Sequence, residues 1–196
     1  DGLAANRAWR TVTQVNTKTN VGYWDTAAPN GNTSPANHAP WTAAPSGSAF
    51  LFKRGCTFDG FVNVHGYLST TNGVSVYANN ITLGAYGVRS QARPVIQYQT
   101  ASTKFRGVAV WTNGHTIKVR NLHLLGSLLT NAGGVSLNGT RDSVVENSTV
   151  ENFGLDGILA DKSKNLLIKN ASVVNTQTSG GRGGGLAGSG TNIQVL

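Results

Sequence analysis

The sequence predicts an all-β chain wound as a parallel solenoid, with three short strands to each coil. Three observations carry that prediction. The second half repeats with a period of about 25 residues, the signature of a stacked repeat. Apolar runs are short and are closed by Gly or Asn rather than extended into helices. The chain also holds 25 Gly but only 12% charged residues, a profile opposite to the Ala-, Glu- and Lys-rich one of helical bundles. With 39% apolar residues at regular spacing, disorder is excluded as well. A length of 196 residues suits one domain with a substantial core.

Taken in order, the first element is a helix. Residues 8–16 (AWRTVTQVN) place Ala8, Trp9, Val12 and Val15 at helical spacing, as in a short amphipathic cap. Residues 17–48 then change character. Pro29, Pro35, Pro40 and Pro45 stand among Asn, Ser, Thr and Ala, so a long loop is expected. Its Tyr23, Trp24 and Trp41 are too apolar to stay in water, which folds the loop back onto the body. The domain division is thus 1–48 for cap helix and loop, and 49–196 for the solenoid.

From residue 50 strand-like runs follow one another at 50–52, 61–64, 74–77, 81–83 and 95–97. After them the repeat is explicit. Gly107, Gly134, Gly157 and Gly185 open equivalent strands, 27, 23 and 28 residues apart. A second strand follows each, at 116–119, 143–145, 166–168 and from 192 to the end. It closes on a common Asn: Asn121, Asn147 or Asn170. A third strand comes next, at 122–124, 148–150 and 171–173.

A single coil leaves its backbone unpaired on both edges and exposes half a core. Stacking coils about 4.8 Å apart pairs the backbone and aligns like residues in columns. Val108, Val135, Ile158 and Leu186 are expected in one inward column, and Val119, Val145, Ile168 and Val195 in another. Asn121, Asn147 and Asn170 should form an internal ladder at a corner, a structural role rather than a ligand site. Arg120, Glu146 and Lys169 fall in one outer column, expected as a weak surface ion-pair ladder.

The runs DGLAANRAWRTVTQVN, FLFKRGCTFDG, NITLGAYGVRSQARPVI and NFGLDGILADKSKNLLIKNASV resemble secreted right-handed parallel β-helix proteins of the pectate-lyase-like superfamily. The resemblance covers most of the chain except 17–48, which reads as an insertion. It implies a right-handed β-helix and a secreted or cell-surface location. In enzymes of this fold it implies a polysaccharide groove along the Gly-led strands and their flanking loops. Members include lyases, hydrolases, epimerases, tailspikes and adhesins, so fold does not settle function.

On that strand face, alternation turns Trp111, Ser136, Asn138 and Asp161 outward. Trp111 offers a stacking surface for a sugar ring; Ser136 and Asn138 offer hydrogen bonds. Lys104 and Arg106 supply positive charge for a carboxylate, and Arg106 and Asp156 stand just before the strand, two coils apart and expected to be exposed. A lyase needs a base beside a uronate carboxylate and a cation to neutralise that carboxylate. Lys104, Arg106 and Asp156 are the catalytic candidates, with His123 or His115 as weaker bases.

A glycosidase pair needs its carboxyl groups ~5–9.5 Å apart. Asp156 and Asp161, five residues apart on an extended run, would be roughly 16 Å apart. No metal or cofactor is expected: the four His and single Cys have no zinc spacing, and calcium would find only Asp156 and Asp161 on this face.

Sixteen Lys and Arg against eight Asp and Glu give a net charge of +8 and a pI of about 10.0, which suits an anionic partner. Nucleic acid is not expected, because aromatics are not interleaved with the cations and no reader motif is present. The run SGGRGGGLAGSG (residues 179–190) lacks a phosphate-loop ending and reads as a loop. No stretch approaches a membrane span.

The sequence-based expectation is therefore an extracellular β-helix that binds or processes an acidic polysaccharide, lyase-like if catalytic. The alternative is a non-catalytic structural or adhesive β-helix, part of a spike or filament. Because the last strand stops before its corner and third strand, the chain is expected to continue, or to self-associate, through that open edge.

Overall fold

A computed structural model describes residues 46–59, 62–64, 67–68, 75–76, 79–97, 107–112, 114–127, 132–137, 139–176 and 184–196. The expected cap helix and nearly all of the 17–48 loop lie outside these residues. Within them the fold is all-β. The first circuit is β1 (Ala49–Lys53), β2 (Thr57–Asp59) and β3 (Val62–Val64), followed by a short antiparallel pair, β4 (Tyr67–Leu68) and β5 (Ser75–Val76). The second is β6 (Thr82–Tyr86), β7 (Val95–Gln97) and β8 (Gly107–Thr112). The third is β9 (Lys118–Arg120), β10 (His123–Leu125) and β11 (Ala132–Leu137). The fourth is β12 (Arg141–Glu146), β13 (Thr149–Glu151) and β14 (Ile158–Leu159). The fifth is β15 (Ser163–Lys169), β16 (Ser172–Val174) and β17 (Leu186–Ala187), after which β18 (Gly190–Val195) begins again.

Each circuit gives one strand to each of three parallel sheets. The first sheet is ordered β1-β6-β9-β12-β15-β18, the second β2-β7-β10-β13-β16 and the third β3-β8-β11-β14-β17. This arrangement is compatible with a parallel β-helix. Strand positions follow the sequence reading closely from the third circuit on, whereas β2 and β4 fall outside the expected runs. Within the run 179–190, expected as a loop, β17 is the strand expected after Gly185, and the first residue of β18 also lies there.

The core is built of columns. In the first sheet Phe50, Leu83, Val119, Val145, Ile168 and Val195 are in register, as the sequence expects for the last four. In the second sheet Phe58, Ile96, Leu124, Val150 and Val173 align. Phe52 and Phe58 meet edge to face with ring centroids 5.1 Å apart. Leu83, Val119, Ile96, Leu124 and Val150 are wholly buried, each worth about 1.5–3 kcal/mol of transfer from water.

The third-sheet column needs correction. Val110, not Val108, is in register with Val135 and Ile158, while Val108 pairs with Gly133 and Gly107 with Ala132. Gly107 is therefore not the equivalent of Gly134. The matching glycines are Gly134, Gly157 and Gly185, linked by Val135 N–H to Gly157 O at 2.8 Å and Ile158 N–H to Gly185 O at 3.0 Å. The reason is space. A Cβ on Gly134 would collide with Val150 Cγ1 and Gly157 O, and one on Gly157 with Val173 Cγ1. Proximity to the second sheet, not a repeat-start signature, selects glycine there.

The Asn ladder also needs correction. Asn121, Asn147 and Asn170 do share one corner, with φ of 57°, 48° and 47°. The Asn170 amide donates to Asn147 Oδ1 at 3.5 Å. Yet Asn121 and Asn147 are half-buried and Asn170 is exposed, so the ladder is not internal. A left-handed residue turns the chain so that the next one enters the core. Leu122 and Ser148 are accordingly buried, and Ser148 Oγ accepts from Leu122 N at 3.3 Å.

Candidate functional site

The Gly-led strands form the third sheet, so the residues named for sugar binding can be placed along it. Asn63, Trp111, Ser136, Leu159 and Ala187 occupy one register column. Trp111 is placed by its backbone alone; Lys104, Arg106 and Asn138 lie outside the described residues. Ser136 lies between the core residues Val135 and Leu137, so alternation puts its side chain on the opposite face, but it is only 6% exposed. Leu159 beside it is partly exposed.

Asp156 departs further from the reading of an exposed group, being only 9% exposed. Its backbone carbonyl accepts Gly134 N–H at 3.0 Å, while its carboxylate makes no hydrogen bond or ion pair with a described residue. Because Asp156 leads Ile158 by two residues, its place in the stack corresponds to Gly133 and Val108, not to Arg106. Asp161 is half-buried and accepts from Ser189 Oγ at 2.6 Å, a contact that ties one turn to the next. The structure thus places Asp156 and Asp161 on one rung, before and after β14, and Ser136 on the rung beside it, but turns only part of this set toward solvent.

Two other outer faces carry polar chemistry. On the second sheet His123 Nε2 and Glu151 Oε2 lie 2.9 Å apart, both about 30% exposed (29% and 31%). Arg93 donates to Thr149 Oγ1 at 3.0 Å, and Ser172 Oγ donates to the same oxygen at 3.2 Å. Sequence reasoning named His123 but not its carboxylate partner. The 28-residue offset, one coil plus a diagonal step, was the available signal.

On the first sheet Lys53, Lys118, Arg120, Arg141, Lys164 and Lys169 are the strand-borne Lys and Arg among the described residues; the described strands of the other two sheets carry none. Arg120, Glu146 and Lys169 stand in register as expected. They do not close into ion pairs, since the ion pair among the described residues is His123–Glu151. Arg141 and Lys164 are neighbours in a parallel column. The signal missed in the sequence was that cations recur in the strand that precedes each corner Asn.

Among the described residues no group of three or more His, Cys, Asp or Glu side chains is gathered as for a metal ion. No helix of the described residues is long and apolar enough to cross a membrane. Compared with known proteins, the chain matches no family model, no curated protein and no solved structure.

Proposed function

We propose that the chain is a right-handed parallel β-helix of the pectate-lyase-like kind, which works outside the cell by binding an acidic polysaccharide, with lyase chemistry as its reaction if it is catalytic. One observation carries this reading. The chain carries sixteen Lys and Arg against eight Asp and Glu, and six of the cations stand on a stack of short parallel strands, an extended surface suited to a long anionic chain. In a lyase reading Lys104 and Arg106 neutralise the uronate carboxylate and Asp156 stands beside the third sheet.

The test is retention of the purified protein on immobilised polygalacturonate against neutral dextran. Retention on the first alone, lost as salt rises, supports the reading; equal elution from both overturns it. Ultraviolet absorbance of an unsaturated product distinguishes a lyase from a binder, and Arg106→Ala or Asp156→Ala should abolish that signal.

A second reading, a non-catalytic structural or adhesive β-helix, is favoured by the burial of Asp156 and Ser136. Under it the protein is retained on polygalacturonate and produces no absorbance change.

A further inference from the structure

Resting on the acidic-polysaccharide part of that reading, and setting aside its third-sheet placement of Lys104, Arg106 and Asp156, we propose that the anionic polysaccharide lies on the outer face of the first sheet, along the stacking direction, and not on the third-sheet face. Arg120, Arg141, Lys164 and Lys169 are exposed on β9, β12 and β15, and Lys118 is half-exposed beside them. The described strands of the third sheet carry no Lys or Arg; the buried Asp156 and the half-buried Asp161 flank them, with Lys162 exposed beside Asp161. A polyanion is attracted by the first face and finds no strand-borne cation on the described part of the other.

The cations are also free to act. None of these five side chains is in an ion pair with a described residue. Asp142, the carboxylate closest in sequence to Arg141, is engaged by the Asn165 amide at 2.7 Å. Glu146 is the other acid on this face, set between Arg120 and Lys169 in the same column. The backbone under them is held on both sides by paired strands, so the charges keep a fixed lattice.

That lattice has a spacing. Successive rungs are about 4.8 Å apart, so Arg141 and Lys164 are one rung apart, and Arg120 and Lys169 two rungs, roughly 10 Å. A pyranose ring spans about one rung, so a polysaccharide with one acid group per sugar presents charge in step with the columns. Duplex nucleic acid presents one phosphate per strand for every ~3.4 Å of helix axis, out of step with them. Single strands need aromatic platforms, and Tyr86 is the sole aromatic residue among the described outward positions of this sheet.

The experiment compares the wild-type chain with Arg120→Glu, Lys164→Glu and Lys169→Glu, and with Arg89→Glu, an exposed loop residue whose reversal alters net charge equally. Binding to polygalacturonate, heparin, dextran and a single-stranded oligonucleotide is measured at low salt. Circular dichroism checks that each variant keeps the wild-type fold, and Arg120→Gln replaces any reversal that does not. Each first-sheet reversal should weaken binding to the acidic polysaccharides by about tenfold, equivalent to ~1.4 kcal/mol, while Arg89→Glu stays within about twofold. A preference for polygalacturonate assigns carboxylate as the recognised group, and one for heparin assigns sulfate. If wild-type protein binds neither polyanion, the polysaccharide reading itself fails. If it binds and the first-sheet variants match Arg89→Glu, the reading stands and the placement is wrong. Tighter binding of the oligonucleotide than of either polysaccharide overturns the occupant.

Discussion

A serine hydroxyl set at a corner shows how the core tolerates polar backbone. Ser143 Oγ accepts from Ile117 N at 3.0 Å and donates to Arg141 O at 2.8 Å; Ser148 Oγ does the same for Leu122 N and Glu146 O, the latter at 2.9 Å. Both serines are buried, so each oxygen is the acceptor for a backbone N–H that has no water to turn to. Ser148→Ala should therefore cost about 1–3 kcal/mol, the penalty of a buried donor left unsatisfied, although it removes a single atom. Urea titration followed by circular dichroism measures it. Ser172→Ala, on the exposed second-sheet surface, should stay within about 0.5 kcal/mol in the same titration.

At the scale of the element, left-handed residues bound the strands: Asn121, Asn147, Asn152, Asn170 and Asn175 directly follow β9, β12, β13, β15 and β16. A second set, Asn80, Thr116, Asp142, Asn165 and Asn192, with φ of 53°, 54°, 50°, 54° and 56°, precedes or enters successive strands of the first sheet. Asn165 and Asn192 link this column by amide hydrogen bonds, Asn192 to Asn165 Oδ1 at 3.0 Å. Asparagine suits these places because its short polar side chain tolerates positive φ and can bond locally. Asn147→Gly should accordingly be nearly neutral, whereas Asn147→Val should lose roughly 1–2 kcal/mol in thermal or urea unfolding. The glycine column obeys a different rule. Gly134→Ala should cost about 1–3 kcal/mol or more, because its methyl meets Val150 and the Gly157 carbonyl rather than an unfavourable torsion. Gly139→Ala, with φ of 69° and nothing within 4 Å of the added carbon, isolates the torsional cost.

Across the whole molecule, stability is a sum over stacked circuits, each held by its neighbours. Residues on β9, β10, β12 and β13 have wholly buried inward side chains and paired strands on both sides. Ile193 in β18 is only partly buried, and Val174, Leu186 and Val195 are 42%, 43% and 60% exposed. Native-state hydrogen exchange should show amides of Val119, Leu124, Val145 and Val150 as the slowest, and those of β16 to β18 faster by factors of ten or more. Uniform protection along the stack would mean that the circuits unfold as one unit. Charge is likewise distributed by face. Unpaired like charges one rung apart, as at Arg141 and Lys164, repel by roughly 0.8 kcal/mol in water, a cost that a bound polyanion would reverse.

Much of this was written in the sequence because a stacked repeat makes local and global order coincide. Short apolar runs on either side of a corner Asn located the strands of the first and second sheets from the third circuit on, and the column Val119, Val145, Ile168, Val195 followed from counting along the repeat. Counting failed where the links between strands vary in length. Gly107 is in register with Ala132, so matching it to Gly134 set it two residues out of register. Register there is decided by backbone pairing and by the room left beside Val150 and Val173, neither visible in one chain of letters. The same holds for exposure. Alternation told which face Ser136 belongs to but not that the face is covered there, and adjacency in sequence did not reveal that Asp156 is buried. Repeats determine which residues align; only the tertiary structure decides which aligned residues water can reach, because that depends on everything packed across the strand.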